Sequence, residues 1–142
     1  MKIVTRQVEG QPLTVTIEYP EYTESVRGLV RRIESLDVSF SASADGKQMR
    51  ISISDVYYLE KVDRKLFLYT KGDVYRIDAP MPEVERITED SDLVRISRTC
   101  IMNTSHLTEI RQLKNSHLEA TLDNGEKLIV SRKYLRDIKR RF

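Results

Sequence analysis

The chain has 142 residues, of which 39% are hydrophobic and 32% charged, and its formal net charge at pH 7 is +2. This length fits one globular domain with a real core, and the composition excludes fibrous and disordered proteins. No apolar run approaches the roughly 18 residues of a membrane span, Glu9 interrupts the apolar N-terminus, and the single cysteine excludes an internal disulfide. We therefore expect a cytoplasmic protein with no signal peptide and no membrane contact.

The N-terminal third predicts a small unit of two strands and a helix. Residues 2–8 and 13–19 are rich in β-branched side chains, and the break at Gly10 predicts a turn between two strands. Four apolar residues then recur at the spacing of one helical face: Val26, Leu29, Val30 and Ile33. This spacing predicts an amphipathic helix over residues 21–36. Residues 39–47 are small and polar and predict a boundary loop, which divides a segment 1–40 from a domain 45–142.

Beyond residue 45 the pattern is mainly that of short antiparallel strands. The predicted strands cover residues 49–54, 56–62, 66–70, 74–77, 93–96, 100–103, 107–113, 117–122 and 127–131. Short helices are predicted over residues 80–87 and 132–140, and Gly125 marks a hairpin turn between the last two strands. The expected fold class is α+β, with a mainly antiparallel β domain after the N-terminal segment.

Catalytic chemistry has no support in the sequence. The two histidines, His106 and His117, have no Cys, Asp or Glu at the spacing of a metal site. Cys100 lies in an apolar strand, where a cysteine usually packs. Nucleotide-binding and hydrolase motifs are absent from the sequence. We therefore expect no enzyme activity, no cofactor and no metal.

Charge is distributed unevenly along the chain. Residues 1–92 carry 13 Lys and Arg against 17 Asp and Glu, whereas residues 93–142 carry 11 against five. A basic half beside an acidic half favours an anionic partner, although a solvated helix face would have the same composition. Neither a helix-turn-helix nor a zinc finger is predicted. Nucleic acid would then be bound by strand ends, loops and the terminal basic helix.

Three segments in order resemble a known family. They are residues 53–60 (ISDVYYLE), 93–103 (LVRISRTCIMN) and 129–135 (IVSRKYL). Together they resemble the LytTR-type DNA-binding domain of bacterial transcription regulators over about residues 45–142. Leu93 departs from the family's usual aromatic residue, and Ser97 from its frequent histidine. The resemblance implies small antiparallel sheets with short helices, whose loops enter successive major grooves and bend the duplex.

The resemblance also implies which residues contact DNA. Arg64 and Lys65 lie in the loop after the first motif strand, Arg98 lies in the middle motif, and Arg132 lies in the closing motif. An arginine fork can bond guanine O6 and N7 together, which suits base reading. Phosphate neutralisation is the expected role of four further residues of the terminal segment: Lys133, Arg136, Lys139 and Arg140.

Double-stranded DNA is therefore the expected partner, and the expected function is sequence-specific transcription regulation. Only about 40 residues precede the domain, so we expect a stand-alone regulator without a receiver domain. A homodimer, formed through residues 1–40 on repeated half-sites, is a further hypothesis. The alternatives are an RNA-binding β module, which would prefer single strands, and a protein-interaction module without nucleic-acid binding.

Overall fold

The computed structural model describes residues 1–36 and 38–141, with only the backbone described for residues 140 and 141. Within this part of the chain, ten strands form two antiparallel sheets, accompanied by three α-helices. The helices are α1 (Glu24–Ser35), α2 (Met81–Ile87) and α3 (Leu135–Arg141). The strands are β1 (Ser39–Ala44), β2 (Lys47–Ser52), β3 (Tyr58–Val62), β4 (Lys65–Tyr69), β5 (Val74–Ile77), β6 (Leu93–Arg95), β7 (Cys100–Asn103), β8 (Leu107–Gln112), β9 (Leu118–Leu122) and β10 (Lys127–Val130).

The larger sheet has seven strands in the order β2-β1-β5-β4-β3-β7-β6, and the smaller has three in the order β10-β9-β8. Every pairing that joins neighbouring strands is antiparallel. The predicted fold class, a mainly antiparallel β domain with short helices, is confirmed.

Side chains alternate between the two faces of the larger sheet, and each face packs on its own hydrophobic core. Leu59, Leu68 and Ile101 point to one side, where Met81 and Val84 of α2 complete the first core. On the other face, the second core is built by residues from β3, β6 and β7 together with the smaller sheet and α3: Tyr58, Val94, Cys100, Met102, Leu118, Ala120, Leu122, Val130 and Ile138. The second core therefore fixes the smaller sheet and α3 on the larger sheet.

The predicted N-terminal strands are not formed. Residues 2–8 and 13–19 contain neither strand nor helix, and Ile3, Leu13 and Val15 are exposed. Their alternating pattern suits a strand, but an isolated two-stranded hairpin is at best marginally stable in water, and no sheet lies against them in the described chain. The predicted strand-strand-helix segment is thus wrong in its two strands.

The predicted helix over residues 21–36 is present as α1. Thr23 caps its N-terminus by accepting a hydrogen bond from the Val26 N–H at 3.4 Å. The guanidinium Nε of Arg32 lies 3.2 Å from the buried carboxylate of Asp92, and that of Arg31 lies 3.8 Å from it. These ion pairs connect α1 to the segment that leads into β6.

The predicted boundary loop over residues 39–47 is instead strand β1 and the turn to β2. Phe40 and Ala42 are buried in the first core and alternate with serines, so this small-residue segment has the period of a strand. Asp45 and Gly46 form the turn, both with positive φ, as a two-residue hairpin requires. The division into segments 1–40 and 45–142 stays a prediction.

Candidate nucleic-acid interface

The first predicted contact segment is the turn between β3 and β4. Val62 pairs with Lys65, so Asp63 and Arg64 form a two-residue turn, with φ values of 50° and 64°. Such a turn matches the twist of the strands but is unusual for an arginine, which has a Cβ that disfavours positive φ. Arg64 and Lys65 are both exposed at the tip of the hairpin. The backbone therefore extends these two cations beyond the edge of the sheet.

The second segment, the loop between β6 and β7, lies beside this hairpin. Strand β3 pairs with β7 up to Glu60 and Cys100, and the Lys61 N–H continues the pairing by donating to the Thr99 carbonyl at 2.8 Å. The exposed Arg98 is the neighbour of Thr99. The pairing therefore brings Arg98 next to the hairpin end of β3.

The third segment, residues 129–135, is hydrogen-bonded to the residue at the start of the same loop. The Ser131 N–H donates to the Ile96 carbonyl at 2.8 Å, and Ile96 is fully buried. Arg132, the next residue after Ser131, is exposed at the start of a 3-10 turn over Arg132–Tyr134. Two long-range backbone hydrogen bonds thus bring the three motif segments together.

Helix α3 and the 3-10 turn before it carry the remaining predicted cations, of which the side chain of Arg140 lies outside the described residues. Ile138 is fully buried in the second core, whereas Arg136 and Lys139 are exposed. Lys133, Arg136 and Lys139 recur every three residues, and residues at this spacing are neighbours along a helical surface. Burial of Ile138 therefore holds this row of cations on the domain.

The seven predicted contact residues with described side chains have no carboxylate partner within 4 Å in the described part of the chain. We call these seven residues the basic surface: Arg64, Lys65, Arg98, Arg132, Lys133, Arg136 and Lys139. Six cations elsewhere do have such partners: Arg27, Arg31, Arg32, Arg95, Arg111 and Lys127. A surface of uncompensated positive charge attracts polyanions.

Arg95 alternates with Val94 and Ile96 in the sequence, so it faces opposite to them, and this pattern alone allows either a phosphate contact or support of the fold. It is half-buried, and its Nε donates to the Ser97 carbonyl at 3.0 Å, while its other nitrogens bond the Arg98 carbonyl and a carboxylate oxygen of Glu85. Arg95 therefore supports the conformation of the loop. Lys61 is a residue that the sequence reasoning missed, and its exposed side chain extends from the strand beside Thr99.

A second group of polar residues, which we call the polar cluster, lies at the opposite end of β3. It comprises Tyr57, Tyr58, Asn103, His106, Asp123 and Glu126. The Tyr57 hydroxyl donates to one carboxylate oxygen of Asp123, and His106 Nδ1 lies 3.0 Å from the other. The hydrogen bond to Asp123, followed by burial, raises the pKa of Tyr57 to about 12. The same hydrogen bond, followed by that from His106, lowers the pKa of Asp123 below its ordinary value.

The described part of the structure gives no support for a catalytic role of Cys100 or for a metal site. Cys100 is buried, and its burial raises the pKa of the thiol to about 12, so the thiolate form is disfavoured at neutral pH. Over residues 1–36 and 38–141, no group of three or more His, Cys, Asp or Glu side chains could hold a metal ion. None of the helices described is long and apolar enough to cross a membrane.

Comparisons with known proteins point to one family. The sequence model of the LytTr DNA-binding domain family matches residues 46–142. The sensory transduction protein LytT of Bacillus anthracis is 29% identical over 90 residues, which are 63% of this chain and 37% of that protein. The transcriptional regulatory protein LytR of Staphylococcus aureus strain N315 is 31% identical over 72 residues, 51% of this chain and 29% of that protein.

A solved structure agrees in fold. It is a LytTr DNA-binding domain from Bacillus cereus with a TM-score of 0.67 and 22% sequence identity, and the match covers 72% of this chain and 94% of that one. The chain spans little more than a third of the length of the LytT proteins that it matches.

Proposed function

This chain belongs to the LytTr DNA-binding domain family, and from that premise we propose that it is a transcription regulator that binds double-stranded DNA sequence-specifically and catalyses no reaction. The observation that carries the proposal is the convergence of the three motif segments, through the Lys61–Thr99 and Ser131–Ile96 hydrogen bonds. The basic surface there has no carboxylate partner in the described chain, so the phosphates of DNA would supply its counter-charge.

Within this proposal, the arginines on turns read bases and the other cations neutralise phosphates. Arg64, Arg98 and Arg132 extend from a hairpin tip, a loop and a 3-10 turn, and the proposal places these three segments in major grooves. There a guanidinium can bond guanine O6 and N7 together. Lys65 contacts the DNA backbone, as does the row formed by Lys133, Arg136 and Lys139, and these contacts strengthen binding without reading sequence.

The arrangement of the aromatic residues favours duplex DNA over the RNA alternative. Proteins that bind single strands usually stack bases on exposed aromatic rings. Here Tyr58 and Tyr69 stack on each other with their ring centroids 4.2 Å apart, and Tyr57 stacks on His106. These four rings therefore pack against each other within the protein.

We further propose that two copies bind repeated half-sites, with residues 1–40 as the contact between them and residues 45–142 as the DNA-binding domain. Support comes from apolar side chains that are exposed in the single chain, among them Ile3, Leu13 and Val15. Sedimentation of the full chain tests this proposal. We expect a dimer on DNA, whereas a monomer at high concentration, with and without DNA, would contradict it.

The proposed function is tested by selecting duplexes from a random-sequence library and titrating the best one by fluorescence anisotropy. A shuffled duplex and the single strand compete at two salt concentrations. We expect tight, salt-sensitive binding that the shuffled duplex does not displace. Preference for the single strand would favour RNA-type binding, and no enrichment of any duplex would favour a protein-interaction module.

A further inference from the structure

Arg95 forms hydrogen bonds with the backbone of the loop between β6 and β7. Its guanidinium has three partners: the Ser97 carbonyl at 3.0 Å from Nε, the Arg98 carbonyl, and a carboxylate oxygen of Glu85 at 3.1 Å. Glu85 belongs to α2 and lies outside the three motif segments. One planar group therefore joins α2 to the two residues that precede Thr99.

The loop has few other ways to satisfy these carbonyls. The N–H groups of Ile96 and Ser97 both donate to the Cys100 carbonyl, at 3.0 and 3.4 Å, and the Thr99 N–H bonds the Ser97 hydroxyl oxygen at 3.3 Å. These bonds use three N–H groups of the loop, and the carbonyls of Ser97 and Arg98 accept from Arg95. The direction of the Arg98 side chain depends on this backbone conformation.

We propose that Arg95 is a positioning residue for sequence reading, because it holds the loop backbone from which Arg98 extends. Glu85 orients the guanidinium of Arg95, so a residue of α2 influences the base specificity of the loop between β6 and β7. The proposal rests on the proposed function, because it assumes that Arg98 contacts bases. The guanidinium nitrogens of Arg95 bond groups of the protein itself, whereas the cations of the basic surface have no carboxylate partner in the described chain. A lysine at this position retains the charge but loses the planar fork that bonds three partners at once.

The test compares Arg95→Lys and Glu85→Gln with a matched pair, Arg111→Lys and Glu119→Gln. Arg111 and Glu119 form a comparable ion pair at 3.2 Å on β8 and β9, away from the loop. For Arg95→Lys we expect an affinity for the selected duplex about tenfold lower, with the affinity for a shuffled duplex unchanged. Glu85→Gln should give a smaller loss in the same direction, and the matched pair should give none.

A double-mutant cycle with Arg98→Ala separates positioning from general stability. In that background Arg95→Lys should have no further effect on the selected duplex, because the side chain that it positions is gone. An equal loss on both duplexes, or additive losses in the cycle, would overturn the proposal. If Arg95→Lys unfolds at a much lower urea concentration than the wild type, Glu85→Gln takes its place in the test. Its affinities for the two duplexes, and its cycle with Arg98→Ala, then decide the outcome. Failure of the wild type to prefer the selected duplex would instead overturn the proposed function.

Discussion

At one end of strand β3, Tyr57 and Tyr58 lie among acidic side chains that accept their hydrogen bonds, whereas at the other end Arg64 and Lys65 have no carboxylate within reach in the described chain. The polar cluster thus satisfies its donors and acceptors internally. The basic surface leaves its charges to solvent. The two groups are separated by the length of the strand, which is about 13 Å for its five residues.

This contrast indicates how the fold separates stability from function. Internally satisfied polar groups contribute to stability because their removal leaves a buried partner without a hydrogen bond. Exposed cations without partners contribute little to stability, and their charge is free to attract an anion. Substitutions in the polar cluster should therefore change unfolding, and substitutions in the basic surface should change DNA binding.

The largest effect on stability is expected for Asn103→Ala. Asn103 is buried, its amide nitrogen donates to the carbonyls of Ile53 and Val56, and its amide oxygen accepts from Ser105. Removal of these bonds should lower the free energy of unfolding by more than about 2 kcal/mol. Urea denaturation measures the loss, and Asn124→Ala on the β9–β10 turn is the control, with an expected change below about 1 kcal/mol.

The DNA affinity of folded Asn103→Ala should equal that of the wild type, since the change lies in the polar cluster. A loss of DNA affinity in the folded variant would break the proposed separation of stability from function.

Arg132→Ala should have the largest effect on DNA binding. We expect a loss of about 1–3 kcal/mol on the selected duplex and a smaller one on shuffled DNA, because a base contact is lost. The midpoint of urea unfolding should not change, since Arg132 is exposed and has no carboxylate partner in the described chain. The control is Arg111→Ala, which removes an exposed arginine from β8. Equal losses on both duplexes would reduce Arg132 to a phosphate contact.

The fold was largely predictable because most elements bury one face of a regular pattern. The predicted strands from β2 onwards, and all three helices, are present close to their predicted bounds. Errors arose where pattern and context disagree. Residues 2–8 and 13–19 alternate like strands but have no sheet to pack on in the described chain. The serines that alternate with Phe40 and Ala42 hid a strand, because small polar residues usually predict a loop.

The sequence predicted which residues belong to the site but did not predict how the fold brings them together. Residue type and the resemblance identified Arg64, Arg98 and Arg132, which lie far apart in sequence. Their approach depends on the Lys61–Thr99 and Ser131–Ile96 hydrogen bonds, which join residues more than 30 positions apart. Local periodicity carries no information on such pairings. For the same reason, alternation placed Arg95 opposite Val94 but could not reveal Glu85 as its partner.

A smaller effect on binding is expected for Lys139→Ala. This side chain is exposed next to the buried Ile138, so the helix should remain docked. Loss of one phosphate contact should weaken selected and shuffled DNA alike and flatten the slope of log affinity against log salt by about one unit. The control is Lys71→Ala, because Lys71 is exposed on the β4–β5 turn at the other end of the sheet. An unchanged slope would remove Lys139 from the basic surface.

The smallest effect is expected for Asp123→Asn, and it depends on pH. Because the Tyr57 hydrogen bond and then that of His106 lower the pKa of Asp123, the folded state favours the carboxylate. The wild type should therefore be more stable than the variant above the unfolded pKa of about 3.9, and should lose this advantage as the pH falls through the lower pKa of the folded state. The Asp123 side chain is 43% exposed, so the difference should stay below about 1 kcal/mol.

Urea denaturation at pH 7, 5 and 3 measures this difference, with Asp73→Asn on the exposed β4–β5 turn as the control. DNA affinity at pH 7 should be the same for both variants and the wild type, because neither position belongs to the basic surface. If the difference in unfolding free energy stays constant from pH 7 to pH 3, the charge of Asp123 contributes nothing. The polar cluster would then owe its stability to neutral hydrogen bonds and packing, and the contrast with the basic surface would be one of burial rather than of charge.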